Sequence, residues 1–207
     1  MEKKLLIDVM TFEPLKQTLA EALSGTGPFT VKGILQRAEA TNQNGRSYPY
    51  ATLLRESQKY TDSFIKERRA LGELDHPESQ VVNLKNVSHN VIEMHWEGKD
   101  LMGTVEVLGT PSGNILKELF RSNIRLGISS RGLGTIKKIS EAVDQVQDDF
   151  ELIAFDFVSN PSTRGAFMFP SSADTLKEGK GHVVKNPLND KWVTAESIIQ
   201  DIFNELS

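Results

Sequence analysis

The chain has 207 residues, 38% hydrophobic and 25% charged, with 15 glycines, 8 prolines and no cysteine. Its 24 basic and 28 acidic residues leave a net charge of −4, which gives no electrostatic reason to bind nucleic acid. This composition excludes disordered, collagenous and membrane-spanning classes, and the missing cysteines exclude disulfides, a thiol nucleophile and thiolate zinc sites.

From the N-terminus, the apolar run Leu5-Leu6-Ile7 is ended by Asp8 and is too short for a signal peptide. A protein working in a cytoplasm, or in something assembled there, is expected. Leu15, Leu19 and Leu23 fall four apart and predict a helix over 13–23, ending at Ser24-Gly25. Phe29 to Glu39 reads as a strand, and Thr41 to Pro49 as a loop of turn-forming residues. A second helix is expected over 50–69, with Leu53, Leu54, Tyr60 and Phe64 around one side.

In the segment 70–80, Pro77 forces His76 into an extended or turn conformation. A hairpin follows. Ile92, Met94 and Trp96 alternate along one arm, and after Gly98-Lys99-Asp100, Leu101, Val105 and Val107 share a face of the other. Thr110 or Ser112 caps a helix carrying Ile115, Leu116, Leu119 and Phe120. Strands are expected over 124–136 and 150–158, the second apolar on both faces but for Asp156. Residues 177–190 read as a linker, and Ile198, Ile199, Ile202, Phe203 and Leu206 as an amphipathic tail helix. The division is therefore an N-terminal helical extension (1–28), a main domain (29–176), and a linker with a C-terminal amphipathic helix (177–207). Irregular interleaving of strands and helices points to an α+β fold around a mainly antiparallel sheet or barrel.

The chemistry-bearing segment is Arg125-Leu126-Gly127-Ile128-Ser129-Ser130-Arg131-Gly132-Leu133-Gly134. On a strand, Ile124, Leu126, Ile128 and Ser130 share the buried face. Arg125, Gly127, Ser129 and Arg131 then share the other, so Ser129 points away from the core into a lane between two arginines. That places Ser129 as a nucleophile and Ser130 as a packed residue or hydrogen-bonder; a strand end with two turn-forming serines is the bland alternative. A phosphate loop is excluded because Leu133 follows Gly132, and a hydrolase elbow because Arg131 stands where glycine is needed.

Asp156 in an otherwise apolar strand needs a partner, because an unpaired buried carboxylate costs several kcal/mol. It is either half of a structural ion pair, a strand end dipping into solvent, or the group that orients an imidazole. Four histidines are available. His89 and His95 lie about 20 Å apart on one strand, too far to share a metal. His182 falls in the linker, whereas His76 is pinned before Pro77 in a loop, where it suits a positioned base. The order His76, Ser129, Asp156 differs from the chymotrypsin-like, subtilisin-like and α/β-hydrolase orders, so a serine hydrolase would need another fold.

Gly72-Glu73-Leu74-Asp75-His76-Pro77 and Gly127-Ile128-Ser129-Ser130-Arg131-Gly132 resemble the two signature segments of the prohead core proteases of contractile-tailed phages. The resemblance extends through 32–49 and 156–162, covering about residues 30 to 165. It implies a fold similar to herpesvirus assemblin, a β-barrel serine protease wrapped by helices, with Ser129 as nucleophile and His76 as base. Asp156 takes a place comparable to assemblin's third, histidine member. Arg131 and Arg164 are both candidates for an oxyanion-stabilising arginine. No metal or organic cofactor is implied, and nucleic acid and membranes are not expected partners. The implied substrates are scaffold, core and capsid proteins inside the prohead, and the protease itself, cut after Glu in Leu/Ile-x-Glu. Oligomeric state, a homo-oligomer included, stays open. The other reading is a non-enzymatic structural or scaffolding protein of the phage head or tail on the same barrel.

Overall fold

The computed structural model describes residues 3–10, 28–75, 77, 79–122, 124, 126–159 and 169–170. The helix expected over 13–23, the linker and the tail helix lie outside these residues, as do His76, Arg125, Arg164 and His182.

The described elements in chain order are β1 (Lys4–Met10), β2 (Thr30–Arg37), β3 (Arg46–Ser47), α1 (Tyr50–Tyr60), β4 (Leu71–Glu73), β5 (Val87–Glu97), β6 (Asp100–Val107), α2 (Pro111–Arg121), β7 (Gly127–Gly134), β8 (Ile136–Ser140), β9 (Val143–Val146), β10 (Glu151–Val158) and β11 (Phe169–Pro170). The hairpin β5–β6 forms where the alternation places it, and its turn is made by Gly98 in the left-handed region at φ 59°. Leu101, Val105 and Val107 are all buried. Helix α2 starts as expected: the Thr110 hydroxyl accepts from Gly113 N at 3.0 Å, and Pro111 occupies the first turn.

Three local readings change. Helix α1 stops at Tyr60 and passes into a single wider turn over Thr61–Ile65 instead of running to residue 69. Thr61 Oγ1 donates to Ser57 O at 2.8 Å, a side-chain bond of the kind that bends helices. The loop 41–49 contains β3, which pairs in parallel with β9. The strand expected over 124–136 is divided, with β7 ending at Gly134 and β8 starting at Ile136.

The strands form three ladders, ordered β1-β7-β10, β11-β2-β6-β5-β4 and β3-β9-β8. Except for β3 with β9, every pairing is antiparallel. The first two ladders meet at one parallel bridge, Leu74 with Phe157. Strand β4 spans three residues and the chain then turns off at Asp75, whose φ is 70°. The pairing beside β10 therefore ends after one step, and the expected closed barrel does not form among the described residues. What stands is a mostly stranded, mixed fold with few helices.

The main core lies between the ladders and α2, joining Val31, Leu35, Val91, Val105, Leu116, Phe120, Ile128, Phe155 and Phe157. Burying a side chain of this size contributes about 1.5–3 kcal/mol. Phe120 of α2 meets Phe157 edge-on at 5.7 Å, so the helix presses on β10 next to Asp156. A smaller cluster of Leu6, Ala38, Tyr48, Leu53, Val146 and Phe150 packs at the other end of β7. Among the described residues no helix is long and apolar enough to cross a membrane.

Candidate active site

Strand β7 is paired along both edges, from Lys4↔Gly134 to Met10↔Ile128 on one side and from Glu151↔Leu133 to Val158↔Gly127 on the other. Alternation then puts Ile128 and Ser130 on one face and Ser129 and Arg131 on the other, as the sequence predicts. The Ser129 face is not turned away from the interior, however. Ser129 and Arg131 are both 0% exposed, because chain from the 71–86 segment reaches this face: Ser79 O accepts from Arg131 Nη1 at 2.8 Å. On the opposite face the Ser130 hydroxyl accepts from Gln36 Nε2 at 2.8 Å and donates to Asp8 O at 3.3 Å. Ser130 is the packed hydrogen-bonder it was expected to be.

Asp156 on β10 is the cross-strand partner of Ser129, so the two side chains project from one face of the ladder. Asp156 is also 0% exposed and lies in an ion pair, with its Oδ2 3.0 Å from Arg131 Nε. Its Oδ1 accepts from Arg131 Nη2 at 3.2 Å and from the backbone N–H of Glu73 at 3.0 Å. The ion-pair reading of this residue is thus realised. Glu73, equally buried, takes Arg131 Nη2 at 3.1 Å and Asn83 N at 3.0 Å on Oε1. Its Oε2 has no hydrogen-bond partner among the described residues. Two carboxylates thus share one guanidinium out of water. The charge of Asp156 reaches Tyr60, whose hydroxyl is held well above its ordinary pKa by burial first and by Asp156 second.

His76 lies outside the described residues, but the chain leading to it is fixed. Asp75 N donates to Phe157 O at 2.8 Å, so the residue before His76 is bonded to the strand that carries Asp156. His89 is a buried histidine in the same neighbourhood. Its Nε2 meets Phe155 O at 2.9 Å and its Nδ1 meets Ser88 Oγ at 2.8 Å. A carbonyl only accepts, so Nε2 carries the proton and Nδ1 accepts from the serine hydroxyl. Burial holds this imidazole down at about 4, against the opposing pull of Asp156 and the Phe155 carbonyl. With both nitrogens engaged and no charge at neutral pH, His89 is a structural element between β5 and β10. His95 is exposed beside Glu97.

Among the described residues no group of three His, Cys, Asp or Glu side chains is arranged to hold a metal. A cleft of about 280 Å³ opens beside the site, lined by Leu74, Asp75, Leu119, Leu126, Phe157, Val158 and Ser159. Arg131, left as an oxyanion candidate by the sequence, directs its guanidinium to Glu73, Asp156 and Ser79. Glu73 and His89 were missed as parts of this centre. No local signal announces their burial: Glu73 shares its strand face with Asp75, and His89 sits between Ser88 and Asn90.

The chain matches the prohead core protein serine protease family over residues 11–178. It is 32% identical over 145 residues to the prohead core protein protease of Enterobacteria phage T4, a match covering 68% of each chain. Its fold is similar to the structure of the bacteriophage T4 capsid assembly protease, with a TM-score of 0.68 and 26% identity. That match covers 78% of this chain and 100% of the other.

Proposed function

Since the chain belongs to the prohead core serine protease family, we propose that it is a phage capsid-maturation protease with Ser129 as nucleophile, His76 as general base and Asp156 as the third member. It cleaves scaffold, core and capsid proteins, and itself, inside the prohead. In this reading His76 takes the Ser129 proton as the hydroxyl attacks the scissile carbonyl, and returns it to the leaving amine. Asp156 fixes the imidazole and stabilises its charged form. No metal or organic cofactor enters these steps. A kinship in fold with assemblin belongs to the same proposal.

One observation carries the assignment. Ser129 and Asp156 are in register on neighbouring strands, and the residue before His76 is hydrogen-bonded to the β10 carbonyl next to Asp156. The carboxylates of Asp156 and Glu73 on that face favour an imidazolium beside them. The adjoining cleft, mostly apolar, suits the Leu or Ile of a Leu/Ile-x-Glu substrate.

The chain carries its own test. Leu176-Lys177-Glu178 precedes Gly179-Lys180-Gly181, and Leu19-Ala20-Glu21 is a second such sequence. Intact-mass spectrometry over time is expected to show wild type shortening first after Glu178, and Ser129→Ala remaining whole. A wild type that digests a Leu-x-Glu peptide but stays full-length removes self-processing. Digestion undiminished in Ser129→Ala removes the nucleophile.

A further inference from the structure

Among the described residues Arg131 is the largest side chain buried completely, and it stands two residues from Ser129 on the same face of β7. Its contacts go to three places. Nη2 donates to Glu73 Oε1 and Asp156 Oδ1 at 3.1 and 3.2 Å, Nε lies 3.0 Å from Asp156 Oδ2, and Nη1 donates to Ser79 O at 2.8 Å.

Glu73 and Ser79 stand three residues before and three residues after His76. One planar side chain thus bonds both flanks of the His76 segment to the strands that carry Ser129 and Asp156. Glu73 Oε1 extends the tie to Asn83 N, farther along the same loop. The segment has a second anchor at Asp75 N on Phe157 O, but that bond reaches β10 and not β7.

We infer that Arg131 is a positioning residue, which sets the distance between the segment holding the base and the strand holding the nucleophile, and that it does not contact the scissile carbonyl. This rests on the reading of His76 and Ser129 as base and nucleophile. Only a guanidinium presents donors at fixed angles to a carbonyl and two carboxylates together; an ammonium is a point donor that cannot span all three. Such a bridge acts through geometry, and a displacement of about 1 Å between reacting groups costs about 100-fold in rate.

The test compares Arg131→Lys with wild type in three measurements: hydrogen exchange along the whole chain, the urea midpoint, and kcat and KM on a Leu-x-Glu peptide. Exchange at Asp75 and Asn83 is expected to rise about tenfold or more while β5 and β6 stay protected, since the opening is local. With it kcat falls about 100-fold and KM changes little. Glu73→Gln keeps the Oε1 acceptor and weakens the same bridge, so it gives a smaller change of the same pattern and serves if Arg131→Lys fails to fold.

A fall in kcat with unchanged exchange at Asp75 and Asn83 overturns the inference in favour of a direct oxyanion contact. Faster exchange there with kcat within threefold of wild type overturns it in favour of a merely structural bridge. The exchange arm can be repeated in a Ser129→Ala background, where it reads the bridge independently of catalysis. Failure of the functional reading is then distinguishable: it shows as wild-type digestion that Ser129→Ala does not reduce.

Discussion

The two faces of β7 are both polar and both buried, yet they are built on opposite principles. Behind Ser130, the carboxylate of Asp8 receives the Tyr48 hydroxyl, Asn44 Nδ2 at 3.0 Å and Arg46 Nη1 at 3.3 Å. One negative charge there meets one positive charge and neutral donors, and the Ser130 hydroxyl bonds Gln36 and the Asp8 backbone. Behind Ser129, the two buried carboxylates of Asp156 and Glu73 both bind the Arg131 guanidinium. The first network gathers one partly exposed cation and neutral donors around one carboxylate, whereas the second draws two carboxylates to one fully buried guanidinium. The neighbouring serines therefore differ less in burial than in the electrostatics beneath them.

The sharpest way to break this comparison is to exchange the serines for alanine. Ser129→Ala is expected to lower peptide cleavage by at least about 1,000-fold, and Ser130→Ala to retain most of it. The reverse pattern in the same assay would put the nucleophile on the wrong face of β7.

The acids give the next contrast. Asp156→Asn is expected to lower turnover by about 100-fold or more, because the imidazole is no longer held, and also to cost stability by weakening the buried pair with Arg131. Asp8→Asn is expected to cost about 1–3 kcal/mol of stability with turnover nearly unchanged. Circular dichroism melts run beside kinetics separate the two, and near-normal turnover in Asp156→Asn would leave it only the ion pair.

The junction of the two ladders is a third point of attack. A Cβ on Gly72 would lie 2.0 Å from Phe155 O and 2.3 Å from His89 Nε2, and the first of these is backbone. Gly72→Ala should destabilise by about 3 kcal/mol in urea unfolding, by overpacking where β4 meets β10. Gly98→Ala tests strain without crowding, since its φ is 59° and nothing lies within 4 Å; its effect should be smaller.

The last effect is a pH dependence, spread over more than two pH units. His89 titrates at about 4 in the fold and near 6.5 unfolded. Between those values the unfolded chain binds the extra proton, so this contribution is complete above pH 6.5 and is lost as pH falls toward 4. The loss amounts to up to about 3 kcal/mol. Urea midpoints across that range should fall less steeply in His89→Gln, and parallel curves would exclude the effect.

What was legible in the sequence is what repeats locally. Strand β2, the β5–β6 hairpin, α2 with its Thr110 cap, and the phase of Ser129 against Ser130 all follow from alternation or capping within a dozen residues. Strand β1 is not legible locally, because its apolar run Leu5-Leu6-Ile7 is short and Asp8 interrupts it. The β8–β9 hairpin carries Lys137, Lys138 and Asp144 and has no apolar face to read. The centre around Arg131 was hidden for another reason. Its partners lie 58 and 25 positions away, and no local period announces a contact between distant charges. Asp156 declared that it needed a partner, but nothing near it in the chain named one.

The pairing of β1 with β7 has a consequence for the order of events in time. Lys4 meets Gly134, and Asp156 meets Ser129 from still later in the chain. Closing loops of that length carries a large entropic cost before any contact returns it, which makes assembly of this sheet slow and late. A chain emerging from the ribosome as far as Glu151 already contains β1 and Ser129, but it lacks the rest of β10 and with it Asp156. The hydroxyl is made early and framed late, and in the proposed triad the site stays incomplete until β10 has joined β7.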